Sequence, residues 1–190
     1  DAKLRDDMRI EIREIQKRLD ITTVFVTHDQ VEALTMCDVV GVMDSGKLAQ
    51  LGSPEEIYEK PSSLFVAKFV GRANVHNCEI VNENVCRLGS GTYRCNTHGK
   101  SRGSGQIAIR PHRINLTPNR DRNLVSVVTN SAHGVVERTT YIGDIVQYDI
   151  EIEGACLKVE VPTASAGHAF HTGDRLLCEW KPEDMLVFGS

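Results

Sequence analysis

Two hydrophobic rhythms divide the chain. Over the first part, apolar residues recur at helical spacing: Leu4, Met8, Ile12, Ile15 and Leu19 follow one another at intervals of four, four, three and four, with charges filling the other positions. This predicts an amphipathic helix with Asp1 as its N-cap. Asp6 and Asp7 near the start and Lys17 and Arg18 in the last turn suit the helix dipole, and Glu14 with Arg18 adds an i,i+4 pair. The charges along this helix read as a solvated face. Val24, Phe25 and Val26 then form a β-branched and aromatic run with no alternating polar face, the pattern of a parallel strand covered on both sides. The run ends abruptly in Thr27-His28-Asp29. Asp29 is placed to cap a helix of Gln30, Val31, Glu32, Ala33 and Leu34, with Glu32 at the capping-box position.

Further along, Asp38–Met43 reads as a strand, Asp44-Ser45-Gly46-Lys47 as a turn and Leu48–Leu51 as its partner. Ser53-Pro54-Glu55-Glu56 combines an N-cap serine, proline at the first helical position and glutamate at the third, a strong helix start. That helix should stop at Lys60, because Pro61 disfavours helical geometry in the residue before it. A short helix follows through Leu64, Phe65, Ala67, Lys68 and Phe69, with Gly71 placed to end it. The expected domain boundary lies there, giving domains 1–70 and 71–190.

Beyond Gly71 the period shortens to two. Candidate strands are Val75–Val81, Gly91–Cys95, Gln106–Arg110, Val125–Thr129, Gly134–Tyr141, Ile145–Ile152, Cys156–Pro162 and Arg175–Trp180, which together predict a small closed or sandwiched β structure. The alternation is cleanest in Val146, Tyr148, Ile150 and Ile152. Their expected hairpin partner is Leu157–Val161, across a turn at Glu153-Gly154.

Composition changes this picture little. The 190 residues are 41% hydrophobic and 25% charged, as in an ordinary globular protein, and no apolar run approaches the roughly 18 residues of a membrane-spanning helix. Residues 1–70 carry nine Lys/Arg against thirteen Asp/Glu, and residues 71–190 carry thirteen of each. Neither part is the basic surface that phosphate-backbone binding requires, so nucleic acid is not an expected partner. Six isolated cysteines without a Cys-x-x-Cys pair point to reduced thiols and to no metal site.

Candidate chemistry is sparse. His28 would sit at the carboxyl end of its strand, facing the crevice where open α/β sheets bind ligands, although a lone histidine at a helix start is commonly just a satisfied turn residue. His168 and His171 could offer two imidazoles, too few for a metal. Gly99–Gly105 reads as a flexible loop. No Gly-x-x-x-x-Gly-Lys-Ser/Thr phosphate loop occurs, and no nucleophile elbow supports hydrolase chemistry.

Taken in order, Asp1-Ala2-Lys3-Leu4-Arg5, the Val24–Gln30 stretch, Met43-Asp44-Ser45-Gly46-Lys47 and Gly52–Tyr58 resemble the C-terminal third of the ATPase subunit of ABC importers of maltose, polyamine, sulfate or iron type. Ile109-Arg110-Pro111, Tyr141-Ile142-Gly143-Asp144 and Trp180–Asp184 resemble elements of the OB-like (TOBE) regulatory domain behind that ATPase, except that His112 stands where an acidic residue is usual. The resemblance implies an α/β fragment of an ABC ATPase domain followed by an all-β OB-like barrel. It makes His28 the switch histidine that contacts the γ-phosphate and Asp1 the aspartate of the loop crossing the dimer interface near the nucleotide. It further implies ATP and Mg as cofactors of the intact protein, a second ATPase subunit and membrane-spanning permease subunits as partners, and a cytoplasmic position peripheral to the membrane. The signature segment, the glutamine loop and the acidic strand for magnesium are missing, so the chain reads as an inactive piece of a longer protein with no cofactor of its own. Two other functions stay open: a small-molecule-sensing β module and an OB-type nucleic-acid binder, the latter disfavoured by charge and by few aromatics.

Overall fold

The computed structural model describes residues 2–97, 102–118, 129–165 and 170–189. The chain forms two compact units, Asp1–Gly71 and Arg72–Ser190. Among the described residues strands dominate, and the four α-helices all lie in the first unit.

In the first unit α1 spans Ala2–Leu19 and α2 spans Gln30–Met36. Strands β1 (Val40–Asp44) and β2 (Lys47–Gly52) pair antiparallel. Ser45 and Gly46 both take positive φ, 49° and 79°, which turns the chain in the sense that matches strand twist. Helix α3 (Pro54–Glu59) begins in a complete capping box: the Glu56 amide donates to Ser53 Oγ at 3.2 Å and the Ser53 amide to Glu56 Oε2 at 2.9 Å. Helix α4 (Leu64–Phe69) is capped by Ser63. Val40, Val42, Ile57, Val66 and Val70 make a small core.

The strand expected at Val24–Val26 does not form. Residues 21–27 carry no sheet pairing, and Val24 and Val26 are 87% and 93% exposed. A parallel strand needs neighbours on both edges to satisfy its amides and carbonyls. The sheet of this unit has two strands, antiparallel and joined to each other, so the run has nothing to join. The α/β ATPase architecture is therefore not assembled within these residues. The apolar stripe of α1 is uncovered too: Leu4, Met8, Ile12, Ile15 and Leu19 are all 41–60% exposed.

Among its described residues, the second unit is built from two five-stranded antiparallel sheets, in orders β10-β9-β8-β11-β7 and β12-β6-β3-β4-β5. The strands are β3 (Asn74–Asn82), β4 (Val85–Leu88), β5 (Gly91–Arg94), β6 (Gly103–Ile109), β7 (Asn115–Pro118), β8 (Asn130–Ile142), β9 (Ile145–Ile152), β10 (Ala155–Pro162), β11 (Arg175–Trp180) and β12 (Met185–Gly189). One continuous core draws on both sheets and includes Ile80, Ile107, Tyr148, Leu157, Trp180 and Val187. Each such side chain contributes about 1.5–3 kcal/mol on leaving water. The β9–β10 hairpin has the predicted inward residues, and its turn residues Glu153 and Gly154 take φ of 52° and 91°. Strands β4, β7 and β12 are short additions to the predicted set. The candidate strand Val125–Thr129 lies, up to residue 128, outside the described residues, as does His168. Of the loop expected at Gly99–Gly105, residues from Gly103 on belong to β6.

The two sheets repeat one plan. A three-strand meander (β3-β4-β5, then β8-β9-β10) is followed by a strand that returns beside its first member (β6 beside β3, β11 beside β8). A 3-10 turn opening on proline comes next, Pro111–Arg113 or Pro182–Asp184, and the last strand crosses to the other half's sheet: β7 pairs β11, and β12 pairs β6. Side chains repeat the exchange. Asn74, opening β3, holds both the amide and the carbonyl of Lys158 on β10, at 2.7 and 2.8 Å. Asn130, opening β8, holds those of Arg94 on β5, at 2.9 and 2.7 Å. Each buried asparagine satisfies two backbone groups of the opposite half, so neither half can leave without uncovering polar atoms.

Candidate functional site

The chemistry-bearing residues gather where α1 and α2 of the first unit meet the 21–29 segment. Asp29 is the N-cap of α2 and accepts from the amides of Val31 and Glu32 at 2.8 and 3.3 Å. The capping box that Glu32 was expected to close does not form, because its carboxylate is used elsewhere. Glu32 Oε2 accepts from the Thr27 hydroxyl at 2.5 Å, and Oε1 from Arg9 Nη2 at 3.1 Å. The Asp29 amide donates to Thr27 Oγ1 at 2.9 Å instead. Arg9 Nη2 also reaches Asp29 Oδ2 at 2.8 Å, so one guanidinium spans both carboxylates. One helical turn along α1, Arg13 donates to the Met36 carbonyl and pairs with Asp38 at 2.5 Å, holding the far end of α2.

These contacts hold the acids ionised. Burial works against the Asp29 charge, but the Glu32 and Val31 amides and the Arg9 guanidinium outweigh it and set its carboxyl below the ordinary aspartate value. The Thr27 hydroxyl, then Arg9, lower Glu32, and Arg13 lowers Asp38.

His28 lies between the two tethered residues Thr27 and Asp29. It is exposed, and its side chain makes no hydrogen bond to another described residue. Together with Phe25, Ala33, Leu34, Val42 and Ile57 it lines a pocket of about 350 Å³. The arrangement presents an imidazole on a pinned backbone at the mouth of an apolar pocket, where it can donate a hydrogen bond to an anionic group. Asp1 lies outside the described residues.

Arg9 and Arg13 were absent from the sequence expectations, which treated the charges of α1 as solvated. Their signal was a spacing of four, which puts both on one face, opposite the acids and carbonyls that bracket the next helix. In the second unit, Asp149 is 3% exposed and held ionised: burial opposes its charge, but Lys158 at 2.9 Å and Arg138 at 2.6 Å prevail. Both cations lie on neighbouring strands, a cross-strand arrangement that stabilises the sheet.

Comparison with known proteins adds the family. Residues 107–188 match the family model described as TOBE domain. An Fe(3+) ions import ATP-binding protein, FbpC, of Brucella abortus (strain 2308) is 42% identical over 166 residues, which are 85% of this chain and 45% of that protein. This chain is similar to the ATP-binding subunits of ABC importers, and its residues 107–188 resemble a TOBE domain. A spermidine/putrescine import ATP-binding protein, PotA, of Clostridioides difficile (strain 630) is 38% identical over 189 residues, 98% of this chain and 50% of that protein. The chain thus spans about half the length of these relatives. Among solved structures, the cytoplasmic molybdate-binding protein ModG, crystallised with molybdate bound, superposes with a TM-score of 0.52 at 9% identity, covering 69% of this chain and 99% of that one. At that identity the likeness is one of fold, and it places the TOBE domain among OB-like β folds.

Proposed function

We propose that the chain is the C-terminal part of the ATP-hydrolysing subunit of an ABC importer: residues 1–70 complete an ATPase domain contributed mainly by other residues, and residues 71–190 form its regulatory OB-like domain. The observation that carries this reading is the tethered turn at Thr27-His28-Asp29, in a chain 42% identical to an import ATP-binding protein. The unpaired, exposed run at Val24–Val26 supports it, since such a segment has the character of a strand whose sheet neighbours lie elsewhere. In the intact subunit ATP and Mg are the cofactors, and His28 is the switch histidine that contacts the γ-phosphate. Asp1 belongs to the loop that crosses the dimer interface. A second ATPase subunit and membrane-spanning permease subunits are the partners, and the subunit works at the cytoplasmic face of the membrane through that permease. Among the described residues no helix is long and apolar enough to cross a membrane. Cargo selection falls to the permease and receptor partners, which accounts for relatives named for Fe(3+) and for spermidine/putrescine sharing this pattern.

The mechanistic claim concerns charge that develops late. A histidine hydrogen-bonded to the γ-phosphate gains strength as charge moves onto the transferred group's oxygens, whereas nucleotide binding rests on a phosphate loop that lies outside these residues. His28→Ala in the full-length subunit should lower turnover roughly a hundredfold, about 3 kcal/mol, and leave nucleotide affinity nearly unchanged. ATPase rate and nucleotide titration on the same purified variant test this. Near-normal turnover would reduce His28 to an ordinary turn residue.

A further inference from the structure

The backbone that presents His28 is held from a distance. Thr27 and Asp29 flank the histidine, and each is fixed by a contact leading to the same cation. Asp29 is bound directly by Arg9 Nη2, and Thr27 is bound to Glu32, whose other oxygen is bound by that same Nη2. Arg9 stands twenty residues earlier, on α1, with its side chain 15% exposed. Largely desolvated and bridging two acids, it is the kind of ion pair whose loss leaves like charges facing each other. The Asp29 charge already opposes that of Glu32. Without the guanidinium, Glu32 would have the alternative that its spacing favours, the Asp29 amide of a reciprocal capping box. Taking it would release the Thr27 hydroxyl and turn the backbone on both sides of His28. The imidazole has no side-chain tether among the described residues to resist that change.

We infer that Arg9 is a positioning residue for His28, keeping Glu32 out of the capping box and so aiming the imidazole through Thr27 and Asp29. This rests on the proposed role of His28 at the γ-phosphate. Arg9 itself touches neither nucleotide nor water in this scheme. A misdirected histidine costs turnover and not binding, because the hydrogen bond it fails to make matters most in the transition state.

The test uses the full-length ATPase subunit with Arg9→Gln, Arg9→Lys, His28→Ala and the double variant Arg9→Gln/His28→Ala, measuring turnover, nucleotide affinity and thermal unfolding on each. Arg9→Gln should lower turnover roughly ten- to hundredfold with nucleotide affinity nearly constant. Arg9→Lys keeps the charge but not the fork, and should recover part of the loss. The double variant should be no slower than His28→Ala alone, since a histidine that is gone cannot be misaimed. If Arg9→Gln slows the His28→Ala enzyme by the same factor as it slows the wild type, Arg9 acts by another route and the inference is overturned. A folded Arg9→Gln protein with full turnover also overturns it, and leaves the reading of His28 intact. Full turnover of His28→Ala sinks that reading and the inference with it. Should Arg9→Gln fail to fold, Thr27→Val cuts the tether from the other side without removing a charge, and the same non-additivity with His28→Ala decides the matter.

Discussion

The two units handle their apolar residues in opposite ways. Among the described residues, the exposed large apolar side chains fall in Asp1–Gly71 except for Tyr141 and Ile142, while the second unit buries Trp180, Tyr148, Leu157 and Ile150 to 1% or less. Strand partners explain the contrast. In Arg72–Ser190 each strand finds its neighbours within the unit, and the crossing of β7 and β12 closes the two halves over one core. In Asp1–Gly71 the run at Val24–Val26 and the stripe of α1 are made for burial but have no covering element. What holds α1 to α2 is polar, the clasp of Arg9 and Arg13 on the ends of α2. One unit closes its core with its own strands, and the other leaves its apolar stripe and run exposed.

The sharpest way to break this comparison is to separate the units. Expressed alone, residues 72–190 should unfold in a single cooperative transition, whereas residues 1–71 should show none and should self-associate through Leu4, Met8, Ile12, Ile15 and Leu19. Calorimetry and light scattering on the two pieces check this; a cooperative, monomeric 1–71 would undo the contrast.

Next in size is a pair of substitutions that should differ in kind. Leu157→Ala, in a site with no exposure, should cost the TOBE-containing unit about 2–5 kcal/mol in denaturant unfolding. Val26→Ser, at 93% exposure, should leave stability within roughly 0.5 kcal/mol and reduce self-association instead. A substantial loss of stability from Val26→Ser would mean that the run is already covered.

Gly89 offers a finer probe of how closely the halves meet. Its φ is 58°, and a Cβ there would come within 1.8 Å of the Glu153 carbonyl oxygen in the β9–β10 turn. Backbone cannot swing aside as a side-chain tip can, so Gly89→Ala should cost roughly 1–3 kcal/mol through strain and displacement. Gly143 also has positive φ, 74°, but meets nothing within 4 Å, and alanine there should cost only the backbone term. Equal losses at the two positions would show that the close approach contributes nothing.

The smallest expected effect is on pH. Asp29, Glu32 and Asp38 all titrate below their ordinary values of 3.8, 4.5 and 3.8 in the folded chain. A lowered folded pKa contributes stability that is present above the ordinary value and is lost as pH falls through the folded one. The α1–α2 clasp should therefore hold at neutral pH and loosen below about pH 4. The protection of α1 amides relative to their intrinsic exchange rates, followed from pH 6 downward, should fall in that window. With Arg9→Gln and Arg13→Gln the pH dependence should flatten, and a pH profile unchanged by those substitutions would show that the guanidinium pairs do not set it.

Much of this was legible in one dimension. The stripe of α1, the capping box at Ser53-Pro54-Glu55-Glu56, the β1–β2 turn and the β9–β10 hairpin follow from local preferences, because a cap or a two-residue turn is decided within a few residues. The order of motifs also pointed to the family of ABC importer subunits before any contact was known. Tertiary structure alone decided the rest. Whether Val24–Val26 becomes a strand depends on partners that no local pattern supplies, and here they are absent. Glu32 occupies a capping-box position and ignores it, because a guanidinium from another helix and a neighbouring hydroxyl outbid one amide. The exchange of β7 and β12 leaves no trace in hydrophobic alternation, since a strand buries the same face whichever sheet it joins. Local chemistry determines which elements can form; which of them meet depends on hydrogen-bonding edges and charges far apart in sequence, and these become comparable only once the chain has folded.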